Sequence, residues 1–413
     1  MSERLNPGYA TATSSAIDKG LQQLFNQSLR EQLNACMQAA EPDYQSDLKA
    51  AMEQLTQTLL QQPDADHEQL VQLFASANEQ LLTCYAQAQL TEAETHTSYI
   101  NATGVVMAVK DAINTVNDIY RVRAFIRGID QALEVHPARN TAQPLHLVYP
   151  ACGPFAPLLL PLISYYQQQN IGPQQLRITL IDIQPGATKV LNQLVDDLGI
   201  RDYIHVIHCQ DVMTYQPEHH IDVLVMEALQ HGFSREGHLA FARHLRQFLS
   251  PDAIMIPEKI TVSAVMNAGQ REYVDQWEPQ DRTHSSLLDP SIVEERTELG
   301  EVFSLTLDSL RKLTIIPLGD SAELIECNQL QIPADASNID KKSLLLTATA
   351  TTFGEEQIRE YDSGISHPLY EPSVCVDFVP KVPEPDDLLL KSGDKLKFYY
   401  KLTGAPGFLP TRA

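Results

Sequence analysis

The chain is poor in positive charge. It has 53 Asp and Glu against 30 Lys and Arg, a formal net charge of −23 at pH 7 with His neutral. Nucleic-acid phosphates reward Lys and Arg, so this balance argues against a nucleic-acid partner. It suits a cationic substrate, and it equally suits an acidic surface that only keeps the protein dissolved. Cysteine is scarce and scattered: the six, at 36, 84, 152, 209, 327 and 375, include no pair at C-x-x-C spacing. A disulfide or zinc framework is therefore not expected, and a reducing compartment is. Long apolar runs are missing as well. The most apolar stretch, FAPLLLPLISYY at 155–166, is too short to span a bilayer and carries two prolines. The opening residues, MSERLNPGYATATSS, lack the basic start and apolar stretch of a secretory signal, so the expected location is the cytoplasm, away from membranes.

What is present suffices for two or three domains: 413 residues, 43% hydrophobic and 20% charged. Residues 1–136 read as a helical region. Apolar positions recur at helical spacing in 16–37 (Ile17, Leu21, Leu24, Phe25, Leu29, Leu33), after Pro42 (Leu48, Met52, Leu55, Leu59), and from about Asp66 to Gln89 (Leu70, Leu73, Phe74, Ala77, Leu81). Thr91 and Glu94 have the spacing of a capping box. A further helical segment is expected over 105–133. The stretch 137–144, PARNTAQP, is a linker by composition.

The period then changes. LHLVYP (145–150), RITLIDI (177–183), YIHVIHC (203–209) and IDVLVME (221–227) are short, branched apolar runs separated by helical stretches such as 185–200. Strand and helix in alternation predict an α/β Rossmann-like domain with a parallel sheet over 137–257. From 258 to 413 the pattern becomes β-rich, with ITVSAVM, FSLTLDSL, KSLLLTATATTF and DKLKFYYKL as the clearest strands. The acidic stretch 268–300 is expected as an inserted helical arm.

Open parallel sheets bind ligands at the carboxyl ends of their strands. After the first strand comes YPACGPFAP (149–157), in which Gly153 allows close approach of backbone to a ligand. The second strand ends at Asp182, placed to take ribose hydroxyls, and the third is followed by Asp211, able to accept from an exocyclic amino group of adenine. Each acid alone also reads as a helix cap or solvated turn residue. The loop lacks the G-x-G-x-x-G that cradles a dinucleotide pyrophosphate, and Pro154 and Pro157 remove amide donors, which argues against NAD. An adenosine ligand without phosphates, such as S-adenosylmethionine, fits better.

With these residues in place, 145–257 resembles a class I S-adenosylmethionine-dependent methyltransferase and, more narrowly, the protein arginine methyltransferase family. That family pairs a glycine loop, a ribose acid and an adenine acid with a double-glutamate loop whose two acids stand nine positions apart, as Glu227 and Glu236 do here. AIMIP (253–257) matches the strand that closes the family's domain, and DIYR gives Asp118 and Arg121, the arginine set near the cofactor carboxylate. The resemblance covers roughly 105–413 and implies S-adenosyl-L-methionine as cofactor, contacted by Arg121, Tyr149, Gly153, Asp182 and Asp211. It further implies Glu227 and Glu236 as catalytic acids, a barrel-like C-terminal domain, a homodimer and no metal. The chain departs from the pattern in several places. Tyr149, Ala151 and Phe155 stand where the loop has an acid and glycines, and Gln230 stands where the double-glutamate loop has its glycine. Thr283-His284 is followed by Ser285 rather than by tryptophan.

The acid pair has a chemical rationale. A guanidinium is planar and presents its donors as a fork that two carboxylates can hold from different sides. Two acids orient the group, draw positive charge from the attacking nitrogen and accept its proton. Their bland reading is a strand-end cap and a helix start, where an acid favours the macrodipole. Three functions stay open: methyl transfer to a guanidino group of a peptide, protein or small molecule; methyl transfer to an amine, hydroxyl or carboxyl in a biosynthetic pathway; and a non-catalytic interaction protein on the same fold. Cys152, His231 and the pair His219-His220 read as packing or solvated residues.

Overall fold

The computed structural model describes Asn26, Gln27, Arg30 and residues 43–413, apart from 138–142, 281–282, 320–321, 368–374, 379, 381, 383 and 386. The helix predicted over 16–37 thus lies almost wholly outside the described residues, as does most of the linker. The chain divides into two compact units, 1–47 and 48–413, and the second holds the site. Among the described residues no helix is long and apolar enough to cross a membrane.

Helix α1 (Tyr44–Gln61) buries Leu48, Met52, Leu55 and Leu59. Helix α2 (His67–Gln87) buries Leu70, Phe74, Ala77, Leu81 and Cys84, and starts where Asp66 accepts from the Gln69 amide at 2.8 Å. The Thr91–Glu94 capping box forms with both reciprocal bonds and opens the short helix Glu92–His96. The single helix expected over 105–133 is corrected. Val105–Val106 pair as a strand with Tyr99–Ile100, a short helix covers Val109–Ala112, and a 3₁₀ turn covers Ile113–Asn117. Only then does α3 (Ile119–Val135) begin, because the Asp118 side chain caps it by accepting from the Arg121 amide. An apolar period alone does not register such an internal restart.

Five strands make the parallel sheet: β1 (Leu145–Pro150), β2 (Leu176–Asp182), β3 (Ile204–Cys209), β4 (Ile221–Val225) and β5 (Leu249–Ile256), in the order β3-β2-β1-β4-β5. All six residues of β1 are buried, as expected for a central parallel strand covered on both faces. Helices α4 (Leu160–Gln168), α5 (Pro185–Leu198) and α6 (His238–Leu245) make the crossovers with α3 alongside. Chain order reverses beside β1, where β2 lies on one side and β4 on the other, and a crevice opens there.

Beyond Pro257 the chain forms two antiparallel sheets. One contains Lys259–Asn267, Thr297–Thr306, Ser343–Phe353, Glu356–Ile358 and Cys375–Asp377; the other contains Ile315–Leu318, Ala322–Gln331, Lys395–Lys401 and Gly407–Arg412. FSLTLDSL is only half a strand. A capping box at Thr306 and Ser309 ends it and starts a helix at Leu307–Lys312. In 268–300 the described residues form no long helical arm but a π-helical turn at Arg271–Asp275, a 3₁₀ turn at Ser285–Leu287, a brief helix at Pro290–Glu295 and the start of the strand Thr297–Thr306. They are tied inward, with Arg296 paired to fully buried Glu272 and, at 2.8 Å, to Glu360, while Tyr361 Oη donates to Glu272 at 2.9 Å.

Candidate active site

A cavity of about 460 Å³ lies at the carboxyl ends of β1, β2 and β4. Arg121, Tyr149, Gly153 and Asp182 line it, and so do Asp211, Glu227 and Glu236. Every residue singled out for the site therefore faces one space, although they come from five separate stretches of chain.

The loop after β1 is held by the end of β2. Asp182 accepts from the Gly153 amide at 2.9 Å and from the Gln184 amide at 2.8 Å, one bond on each carboxylate oxygen. Burial pushes its pKa up from 3.8 to about 6, and these backbone bonds oppose the rise. Gly153 has φ of +67°, and nothing lies within 4 Å of where a Cβ would stand. Backbone thus borders open space at this point, in a conformation L side chains rarely adopt. Asp211 caps the turn after β3 through the Met213 amide at 2.9 Å while still facing the cavity. Cys152 is buried, with its thiol pushed well up by burial and directed at the Ile181 carbonyl, so it is a packing residue here.

One wall of the cavity is a hairpin at 99–106 that sequence reading missed. Gln184 Nε2 donates to the carbonyls of Thr97 and Met107, both at 2.8 Å, pinning the two ends of that hairpin two residues beyond Asp182. Asn101, Thr103 and Gly104 line the cavity from it. A Cβ on Gly104 would lie 2.8 Å from the Arg235 carbonyl oxygen and 2.9 Å from Glu236 Cα. Only glycine lets the hairpin sit this close to the acid loop. The C-terminal part contributes too, through Gly364 and Ile365. It is anchored where Asp118 Oδ2 accepts from Ser363 Oγ at 2.7 Å and from the Gly364 amide at 3.0 Å. No local pattern signals contacts between residues so far apart in sequence.

The acids sit at the centre. Glu227 stands two residues beyond β4. Its Oε2 is 3.1 Å from Arg121 Nη1, and Arg121 Nη2 is 2.8 Å from Asp118. Buried Glu227 Oε1 and Arg121 Nε have no hydrogen-bond partner among the described residues. Burial raises the Glu227 pKa, against the pull of the Arg121 charge. Glu236 is part-buried just ahead of α6, whose N-cap is Gly237. Burial first, then the Glu227 charge, raise its pKa from 4.5 to about 7, and the Gln230 side-chain amide, donating to Oε1 at 2.9 Å, moderates this. Tyr149 is buried, and its hydroxyl is pushed well up by burial and by Glu227. Chemically, the site can hold a cation between two carboxylates, one near neutrality and able to take a proton. Among the described residues no cluster of three or more His, Cys, Asp and Glu could hold a metal ion.

Among solved structures the chain is similar to the Trypanosoma brucei PRMT1 enzyme–prozyme heterotetrameric complex with AdoHcy (14% identity, 73% of this chain and 96% of that one, TM-score 0.40). It is also similar to PRMT6–SAH (11%, 74% and 100%, TM-score 0.44) and to PRMT6 (12%, 70% and 96%, TM-score 0.42). No family model and no curated protein matches the chain.

Proposed function

We propose that the protein transfers a methyl group from S-adenosylmethionine to a nitrogen of a guanidino group held between Glu227 and Glu236. The observation that carries this reading is that both acids line the same cavity as Gly153, Asp182 and Asp211, with one buried Glu227 oxygen left open. The residues fit the cofactor. Open space in front of Gly153 admits it, Asp182 retains lone pairs for ribose hydroxyls, Asp211 can accept from the adenine amine, and the unpaired Arg121 Nε–H offers a donor to a carboxylate.

When bound, the cofactor supplies a methyl group activated by a positive sulfonium. Glu227 and Glu236 balance the charge of two neighbouring cations and orient the acceptor nitrogen toward that methyl. The Arg121 charge opposes the burial that raises the Glu227 pKa and so favours its ionised form. Glu236, whose pKa burial and the Glu227 charge lift to about 7, would accept the proton that the acceptor nitrogen gives up on gaining the methyl group, leaving the cofactor as the neutral thioether. An amine acceptor is the second reading, favoured because one oxygen of each acid is already engaged, Glu227 by Arg121 and Glu236 by Gln230. Incubating a source-cell extract with methyl-labelled S-adenosylmethionine and either wild type or Glu236→Gln, followed by acid hydrolysis, separates the two. Label in methylated arginine with wild type alone supports the guanidino acceptor; label in another amine refutes it.

A further inference from the structure

We propose that Gln230 is a positioning residue. Its side-chain amide anchors Glu236 Oε1 and so turns Oε2 toward the substrate, a role that rests on the methyl-transfer reading for its purpose but not for its geometry.

The backbone makes this anchor possible. Gln230 and Ser234 exchange hydrogen bonds, 3.0 Å from the Gln230 amide and 3.3 Å from the Ser234 amide, closing a turn over His231, Gly232 and Phe233. Gly232 and Phe233 both take positive φ, +63° and +56°, and Arg235 follows at +66°. Phe233 fixes the turn from below, with its ring 5.8 Å from Phe303 and 5.3 Å from Tyr400. The Arg235 amide donates to the Pro406 carbonyl at 2.7 Å. The tightened chain brings residues 230 and 236 onto the same side, where the amide reaches the carboxylate.

Gln230 provides the one side-chain hydrogen bond to Glu236 among the described residues. A long side chain without an anchor samples several rotamers, and holding one costs entropy; an anchored carboxylate already has its direction. The charged groups that bear on Glu236 are Glu227 beyond β4, Arg121 on α3 and Asp182 at the end of β2. The hairpin packed on its backbone presents Gly104 and Val105, which bring no charge. Gln230 is therefore the neutral donor in an otherwise charged neighbourhood. A donor that binds the ionised form favours it over the protonated one.

Carboxyl-carbon NMR titration of the full chain tests this without acceptor or cofactor, with the Glu236 signal assigned by its loss in Glu236→Gln. Gln230→Met keeps the length and removes the donor. Its Glu236 midpoint is expected to rise by about one pH unit, the size of one hydrogen bond to a charged group. Gln230→Glu is expected to raise it further and provides the decision if the methionine variant does not fold. An unchanged or lowered midpoint in a variant that keeps the wild-type thermal transition overturns the proposal. A raised midpoint in a protein that transfers no methyl group overturns the proposed function and leaves the anchor standing.

Discussion

The guanidinium of Arg121 lies 3.1 Å from the Glu227 carboxylate, and its other terminal nitrogen lies 2.8 Å from Asp118. One buried cation thus serves both the cap of α3 and the first acid of the pair. Asp118 in turn holds Ser363 and Gly364, so the C-terminal part is joined to the sheet through the same charge.

Removing that cation leaves two acids short of compensation. Arg121→Met is expected to lower unfolding stability by about 3–5 kcal/mol, the range for breaking a buried pair from one side. Adding Glu227→Gln should restore part of the loss, because the orphaned charge goes with it. Urea denaturation of the single and double variants checks this, and equal stabilities for the two would contradict the role given to Glu227.

Glu236 sets a pH dependence with a definite sign. Its folded pKa, about 7, is above its ordinary 4.5. Below about 4.5 the group is protonated folded and unfolded, and contributes no difference. Between 4.5 and about 7 the unfolded chain releases the proton that the folded protein keeps, so stability falls as pH rises and levels off above about 7. Glu236→Gln should flatten this decline, leaving the contributions of Asp182, raised from 3.8 to about 6, and of Glu227, also raised by burial. Denaturation curves across that window give the comparison. Methyl transfer should run the other way, rising through about pH 7 as Glu236 becomes able to accept a proton.

Gly104→Ala would place a Cβ against backbone atoms of Arg235 and Glu236. The expected cost is about 1–3 kcal/mol, typical of overpacking. The displacement falls on the acid loop rather than on Gly153 or Asp182. Transfer should therefore drop by more than cofactor affinity does, and measuring both on one preparation separates them.

Thiol reactivity should follow burial. Of Cys84, Cys152, Cys209 and Cys327, only Cys209 is exposed. Iodoacetamide is expected to label Cys209 in the native protein and to reach Cys152 only after unfolding, since its thiol is held well above the usual range. Mass spectrometry of timed digests reads this out, and rapid native labelling of Cys152 would mean that the cavity loop opens.

The parallel sheet was legible because β1, β2 and β4 are buried almost throughout and read as mainly apolar runs, interrupted only by His146, Arg177, Thr179 and Asp222 before their ends. Their ends could be found by looking for the next polar residue, and Asp182 and Glu227 are those residues. Helix α3 was half legible: its period showed, but the capping role of Asp118 ahead of it did not. The hairpin at 99–106 went unread, with only its second strand falling at the start of what looked like helix, because the Gln184 bonds that hold its ends are long-range. Gly364, Ile365 and the Ser363 contact were invisible for the same reason. Gln230 stood out only as a residue where a glycine was expected. Its use appears once the turn places it against Glu236.

The most direct test is calorimetric titration of the wild-type chain with S-adenosylmethionine, beside Asp182→Ala and with NAD as control. The account predicts one site of roughly micromolar to millimolar affinity, the span common for enzyme substrates, weakened at least about tenfold by Asp182→Ala, with no heat from NAD. Absence of S-adenosylmethionine binding by a folded wild-type chain, or undiminished binding by the Asp182 variant, would contradict it.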